Sequence, residues 1–410
     1  MTFINPFCFH RNTSKVKDTK KIGRIFRAAI VFMIIVTGCT KEDKQFVVKL
    51  EDPENLPTRE CVLSDLCTDI EYITLDSSQL IGRIRQIDFS RRNILICNAM
   101  GYSLFNNEGK YLNRIGRIGR GPGEYTKYIK DATISPDGKS IFILNLMREI
   151  LVYDEHGDFL RKHKLPEGML VHNITTMNDH QLLLSCGSTA DQEKYYWVIV
   201  DYNGNVLRTK KSFVRLCYKK DAPAGPLPTH ILFGGGRTIN YYDQYTDTIF
   251  EIGEDSHRVR FIIDRGDIGL TPKLYEQGII SKGLERYMWP RGIWETNNYV
   301  LFYTSCKTKS YRILLEKSTN KLYRVGDGDY GWGAFQNDFD GGLDFFPRET
   351  PMNSIRVRTI DAYELKAHVA SEAFKNSTPK YPEKKKALEK LANGLSENDN
   401  PVLMLVRLKK

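Results

Sequence analysis

The 410-residue sequence predicts an all-β fold, a six-bladed β-propeller, with seven blades as the alternative. Three observations carry that prediction. Gly-bearing turns recur at nearly constant spacing, each turn is flanked by two short β-rich runs, and a further apolar run precedes each hairpin. The turns are Asn107-Glu108-Gly109-Lys110, Glu155-His156-Gly157-Asp158 and Asn203-Gly204-Asn205, with the glycines 48 and 47 residues apart. A Gly-bearing turn between two β-rich runs is a strong hairpin signal. A period of roughly 40–50 residues carrying about four short strands is that of a propeller blade. A four-stranded blade has two faces and cannot cover both alone, so blades stack radially until the ring closes. A two-sheet sandwich would also use many short strands, but gives no reason for a repeated interval.

The chain opens on a basic segment with seven Lys/Arg between Arg11 and Arg27, followed by an apolar run from Ala28 to Val36. That run is too short to span a bilayer, which takes about 18 residues or more, and it suits a signal-peptide core. The next residues complete Val36-Thr37-Gly38-Cys39, which resembles the lipobox of bacterial lipoproteins. The resemblance implies cleavage before Cys39 and lipid attachment to it. A buried strand ending in cysteine is the plain alternative. The expected division is a lipoprotein signal peptide over 1–38, a tether and lead-in over 39–60, and the propeller over 61–410. Thr40-Lys41-Glu42-Asp43-Lys44-Gln45 reads equally as a surface-export signal of Bacteroidetes lipoproteins or as a solvated tether. The localisation expected is an outer-membrane lipoprotein on the periplasmic or surface-exposed face. Without residues 1–38 the chain holds 53 basic and 49 acidic residues, a net charge of +4 in place of +10. Most of the basicity belongs to the leader, and a nucleic-acid role loses its support.

The strand runs follow in order. "NILIC", "YSLF" and "KYLNRI" surround the first turn, "SIFILN", "EILVYD" and "DFLRKHKL" the second, and "QLLLSC", "YYWVIVDY" and "NVLRTKKS" the third. After Arg208 the repeat loosens. "TINYYD", "DTIFEI" and "VRFIID" form one set around Gln244–Asp247. "NYVLFYTSC", "YRILLEK" and "KLYRV" form another around Ser318–Lys321. Cys97, Cys186 and Cys306 end apolar runs and read as small core residues. No CxxC spacing occurs, which speaks against structural zinc. Cys61 and Cys67 are close enough for a local disulfide, which export permits, or are free. Ile360–Phe374 and Pro382–Leu395 read as helices. The terminal "NPVLMLVRLKK" reads as a strand that pairs with an early blade and staples the ring shut, removing an exposed edge.

The run Gly119-Arg120-Gly121-Pro122-Gly123 lies between the first and second units. Its spacing is not that of the G-x-G-x-x-G dinucleotide fingerprint, and a strand rather than a helix follows it. It reads as an inter-blade connector, with glycine supplying positive φ and proline fixing the corner. "GRIGRGPGEY", "ISPDGKSIFILN" and "ILVYDEHGDFL" resemble NHL-type propeller repeats. With "NDFDGG" at 337–342, "DTIFEI" at 247–252 and the terminal strand, the chain over roughly 60–410 resembles the six-bladed β-propeller lipoproteins of gut Bacteroidetes. The resemblance implies a fold and an envelope location, not an activity.

Candidate ligand-binding residues fall in three stretches. Arg120, Glu124 and Tyr125 of the connector could face the channel; for Tyr125 an inter-blade core contact is the plain reading. Trp289, Arg291 and Trp294, in "RYMWPRGIWE" at 286–295, read as a loop or insertion. An aromatic–arginine surface suits sugars or peptides, and packing under a blade is the alternative. Asp338 and Asp340 in "NDFDGG" carry part of a calcium-loop pattern without its full spacing, and turn chemistry explains them as well. No catalytic set emerges: the seven histidines beyond the leader show no paired spacing, and G-x-S-x-G does not occur. The expectation is a non-enzymatic, monomeric binding or interaction module. It would be lipid-anchored, with no cofactor, and would take an extracellular or periplasmic partner or a ligand such as a glycan or peptide. The alternative is a propeller enzyme, a calcium-assisted lactonase or polysaccharide lyase, working at the channel mouth.

Overall fold

Six sheets arranged in a closed ring account for the whole repeat. The computed structural model describes residues 46–409 except 128, 147, 166–168, 170, 187–194, 215–229, 236–237, 277–285, 327–332 and 347–354. The leader 1–38, Cys39, the tether up to residue 45 and Cys217 lie outside the described residues.

Blade 1 runs, from axis to rim, through Gln86–Phe89, Asn93–Asn98, Gly101–Asn106 and Tyr111–Ile115. Blade 2 is Ile129–Ile134, Ser140–Asn145, Glu149–Asp154 and Phe159–Lys164; blade 3 is Val171–Thr176, Gln181–Cys186, Tyr195–Asp201 and Val206–Lys211. Blade 4 is His230–Gly235, Thr238–Asp243, Thr248–Ile252 and His257–Asp264, and blade 5 is Trp289–Glu295, Tyr299–Cys306, Lys309–Glu316 and Lys321–Val325. Within these five blades neighbouring strands are antiparallel.

Blade 6 joins the two ends of the chain. Its order is Ile355–Ile360, Val402–Leu408, Cys67–Thr74, so the terminal strand lies between an N-terminal strand and the last inner strand. This is the expected staple. The helices Ala362–Ala370, Glu372–Asn376 and Pro382–Gly394 fill the connection before it. Pro382 stands in the first turn of the last helix, where no amide partner is lost.

The stretch expected to be a lead-in also builds sheet. Phe46–Lys49 pairs in parallel with the outer strand of blade 4, and Thr58–Arg59 in parallel with that of blade 5. Between them Glu54 accepts from Lys307 Nζ at 3.0 Å, Lys309 Nζ at 3.2 Å and Tyr311 Oη at 3.0 Å, all on blade 5. The outer strands of blades 1, 2 and 3 remain sheet edges. Two of them carry Arg161, Lys162 and Lys164, and Arg208, Lys210 and Lys211, charges that discourage edge-to-edge pairing.

Six hydrophobic clusters hold the ring, one per blade interface. Successive residues of a strand point to opposite faces, so each middle strand feeds two clusters. Leu95 and Cys97 pack toward blade 2, while Ile94 and Ile96 pack toward blade 6 with Leu403 and Leu405. Ile141 and Ile143 face blade 1, and Phe142 and Leu144 face blade 3. That is why these strands read as unbroken apolar runs. Cys97, Cys186 and Cys306 sit in the clusters as small core residues. Cys61 and Cys67 are both free and buried, with burial holding their thiols up at about 11 and about 12.

Candidate functional site

The innermost strands of the six blades enclose a cavity of about 280 Å³ on the ring axis. Among the described residues, innermost strands of neighbouring blades share no backbone ladder. Among blades 1 to 4, side chains join them instead. Asp88 of blade 1 accepts from Thr133 Oγ1 at 2.7 Å and Ile134 N at 3.0 Å in blade 2. Gln86 Nε2 donates to Asp131 Oδ1 at 2.5 Å, and Tyr102 Oη donates to Gln86 Oε1 at 3.1 Å. Asp131 of blade 2 in turn accepts from Asn173 Nδ2 at 3.0 Å and Ile174 N at 2.9 Å in blade 3. Asn173 Oδ1 lies 2.9 Å from His230 Nε2 of blade 4, and Ser185 Oγ lies 2.8 Å from the same nitrogen. Polar side chains of the inner strands thus build a hydrogen-bonded girdle around blades 1 to 4.

Enclosure by the channel wall dominates the electrostatics of the girdle. It pushes Asp88 up to about 6, despite donors from Thr133, Ile134 and Phe89, and Asp131 up to about 7, with Asp88 adding repulsion. His230 is pushed down to about 3, by burial and by the neighbouring His172. Its imidazole is neutral at any physiological pH.

The opposite wall is cationic. Arg291 of blade 5 and Arg356 of blade 6 occupy the inner strands where blades 1 to 3 carry Asp88, Asp131 and Asn173, while a third arginine, Arg85, stands on the carboxylate side just before the inner strand of blade 1. All three arginines line the cavity, as do Trp294 and Tyr303. Arg291 is exposed and lies 5.2 Å from the centre of the Trp289 ring. Arg356 is 5% exposed, and burial pushes it down to about 10. A carboxylate wall already saturated with donors thus faces arginines flanked by aromatic rings, an arrangement that attracts an anion.

The residues expected from the sequence separate into two groups. Arg291 and Trp294 reach the cavity. Their segment, expected to be a loop or insertion, is the inner strand of blade 5, Trp289–Glu295. Pro290 is tolerated because this strand is the free inner edge of its sheet, and a register shift falls between Pro290 and Gly292. Trp289 begins that strand, with its Nε1 buried and without a partner among the described residues.

The others do not line this cavity. Tyr125 is fully buried at the interface of blades 1 and 2, donating to Ile115 O at 2.9 Å and packing edge-on against Tyr102 and Tyr153. Glu124 accepts from Gly121 N at 2.7 Å and folds the connector on itself, while Arg120 is exposed there. Asp338 accepts from Ser64 N at 2.9 Å and Ser64 Oγ at 2.5 Å. Asp340 is 1% exposed and takes Asn337 Nδ2 at 2.7 Å and Gly342 N at 2.9 Å. These carboxylates hold a turn together. Among the described residues no three His, Cys, Asp or Glu side chains are grouped as metal ligands.

Sequence reasoning missed Asp88, Asp131, Asn173, His230, Arg85 and Arg356. A signal existed: charged residues interrupt the apolar pattern in the first strands of several repeats, as in "QIDF", "IKDATI" and "IRVRTI".

The family model described as Domain of unknown function (DUF4934) matches residues 45–407. Among solved structures, a Bacteroides fragilis protein described as exported aligns over 89% of this chain and 100% of its own, at 18% identity and a TM-score of 0.63. That likeness concerns the fold. A protein of unknown function from Bacteroides caccae aligns over 61% of this chain and 84% of its own, at 13% identity and a TM-score of 0.36. PorZ, a surface component of the type-IX secretion system of Porphyromonas gingivalis, aligns over 70% of this chain and 32% of its own, at 10% identity and a TM-score of 0.37. No curated protein matches the chain.

Proposed function

The chain belongs to the DUF4934 family, and from that premise we propose that it is a non-enzymatic binding module of the cell envelope, held by a lipid on Cys39, whose axial cavity takes an anionic ligand. The observation that carries this reading is the asymmetry of the cavity. Arg85, Arg291 and Arg356 line it together with Trp294 and Tyr303. The carboxylates that share the cavity are occupied by donors from neighbouring blades. An arriving anion therefore finds free guanidinium surface at Arg291 without having to displace a carboxylate from it. The volume of about 280 Å³ lies at the small end of ligand sites, which run to roughly 300–1,000 Å³, and fits one ring-sized group. The basic, apolar and small-residue order before Cys39 supports export and lipid attachment.

Calorimetric titration with small carboxylates tests the reading. Arg291 is exposed, so Arg291→Ala leaves the fold intact. The expected result is binding that weakens about tenfold in the variant, as for loss of one charge-assisted hydrogen bond, and that also weakens with added salt. Equal affinity in both proteins overturns the assignment of the cationic wall.

A further inference from the structure

We propose that the outer edge of blade 2, Phe159–Lys164, is a second binding surface, and that it takes an extended acidic segment of a partner protein as an added parallel strand. The chain itself closes the outer edges of blades 4, 5, 6 and 1. Phe46–Lys49 and Thr58–Arg59 cover blades 4 and 5, both in parallel. At blades 6 and 1 the turn of the next blade seals the end of the outer strand: Asp76 N donates to Gly109 O at 2.8 Å, and Gly116 N donates to Gly157 O at 3.1 Å. Blade 3 does not do this for blade 2. A Cβ on its turn glycine, Gly204, would meet the side chain of His163 rather than backbone. Among the described residues no backbone hydrogen bond joins that turn to Phe159–Lys164. The edge of blade 3 leads into residues 215–229, outside the described residues.

The register shows which groups the edge offers. Leu165 N donates inward to Arg148 O at 2.8 Å. Alternation along the antiparallel ladder then turns the backbone groups of His163 and Arg161 inward and those of Lys162 and Lys164 outward. In blade 4 the same inward bond runs from Ile263 N to Asp247 O at 2.7 Å. Lys164 therefore stands where blade 4 has Ile262, the residue paired there with Val47 of the added strand. Two residues further along that strand opposite charges meet, Lys49 beside Asp264. On blade 2 the complement is acidic. Arg161, Lys162 and Lys164 are cationic, while the strand beneath returns Glu149, bonded to Lys162 at 2.9 Å. Its other acid, Asp154, is taken by turn amides. Leu160, 49% exposed, adds an apolar contact at the start of the strand. The fitting segment reads, in the direction of Phe159–Lys164, an apolar residue followed by acids at alternate positions, each acid beside a lysine. A second copy of this edge would set lysine against lysine. The charges that bar that pairing select an acidic strand.

Fluorescence anisotropy with labelled peptides tests this. The probe VTLTETEV carries the apolar and acidic positions in order, and VTLTKTKV reverses the charge. The acidic probe with its amides N-methylated keeps the charge and loses the backbone donors. The acidic probe should bind the purified protein about tenfold more tightly than either of the other two. Lys164 is exposed, so Lys164→Glu leaves the fold intact. In that variant the acidic probe should weaken about tenfold and the lysine probe should gain. No binding of the acidic probe, equal binding of the two charge forms, binding that survives N-methylation, or indifference to Lys164→Glu overturns the proposal. So does a wild-type dimer in sedimentation velocity that Lys164→Glu abolishes, since that seats a second copy on the edge. Anion binding in the axial cavity is untouched by any of these outcomes.

Discussion

At Asp131 four donors converge on one carboxylate: Gln86 Nε2, Ala132 N, Asn173 Nδ2 and Ile174 N. Two of them come from blade 3 and one from blade 1, so a single side chain ties three blades at the axis. Enclosure nevertheless holds this group at about 7 and Asp88 at about 6, well above the value of about 3.9 for an unfolded aspartate. The folded state therefore binds these protons more tightly than the unfolded state. Their stabilising contribution is complete below about pH 4 and is lost as pH rises through 6 and 7. In urea melts, the stability of the wild type relative to Asp131→Asn, which cannot titrate, should fall between about pH 5 and pH 8. A difference that stays flat contradicts the assignment. The sequence showed little of this. Asp338 and Asp340 stood out because acids and glycines were crowded into six residues, and the fold spends them on Ser64, Asn337 and Gly342. Asp88, Asp131 and Asn173 each stand alone in a strand, and only the closing of the ring makes them neighbours.

Among the elements, the turns were the most legible because their chemistry is local. Asn106, Asp154 and Asp201 each precede a turn glycine by three residues, and each side chain accepts from the amides two and four residues on. The glycines that follow have φ of 86°, 86° and 85°. Space adds to conformation: a Cβ on Gly157 would stand 2.1 Å from Arg114 O of blade 1. Gly157→Ala should therefore cost about 2–4 kcal/mol, combining a left-handed backbone with a blade-to-blade clash. Gly82, with φ of 60° and no neighbour within 4 Å of its Cβ position, is the control. Gly82→Asn should cost under about 1 kcal/mol, since asparagine tolerates that backbone. Thermal or urea melts on the pair decide it, and equal losses contradict the packing account. The inner strand Trp289–Glu295 was illegible for the opposite reason. Pro290 and Gly292 are loop signals unless the strand is a free sheet edge, and that status depends on the whole ring.

At the scale of the molecule, burial and closure explain why the chain needs both ends. Six clusters, one per interface, leave no blade face bare, and the sixth exists only because Val402–Leu408 pairs with Cys67–Thr74. Periodicity revealed the ring, and the apolar terminal strand revealed its closure. The parallel additions at 46–49 and 58–59 were not readable, because a four-residue strand without a hairpin turn has no local mark of its partner. The proposed lipid anchor is tested by Cys39→Ala, which should move the protein from the membrane to the soluble fraction; retention in the membrane contradicts it.

The proposed function rests on an axial cavity where donor-saturated acids and arginines share the lining. Crystals soaked in a small ring-bearing carboxylate test this most directly. The predicted result is difference density for a single ligand on the ring axis, its carboxylate against the arginines of blades 5 and 6. Density confined to the rim, or an axis that stays solvent-filled at saturating ligand, contradicts it.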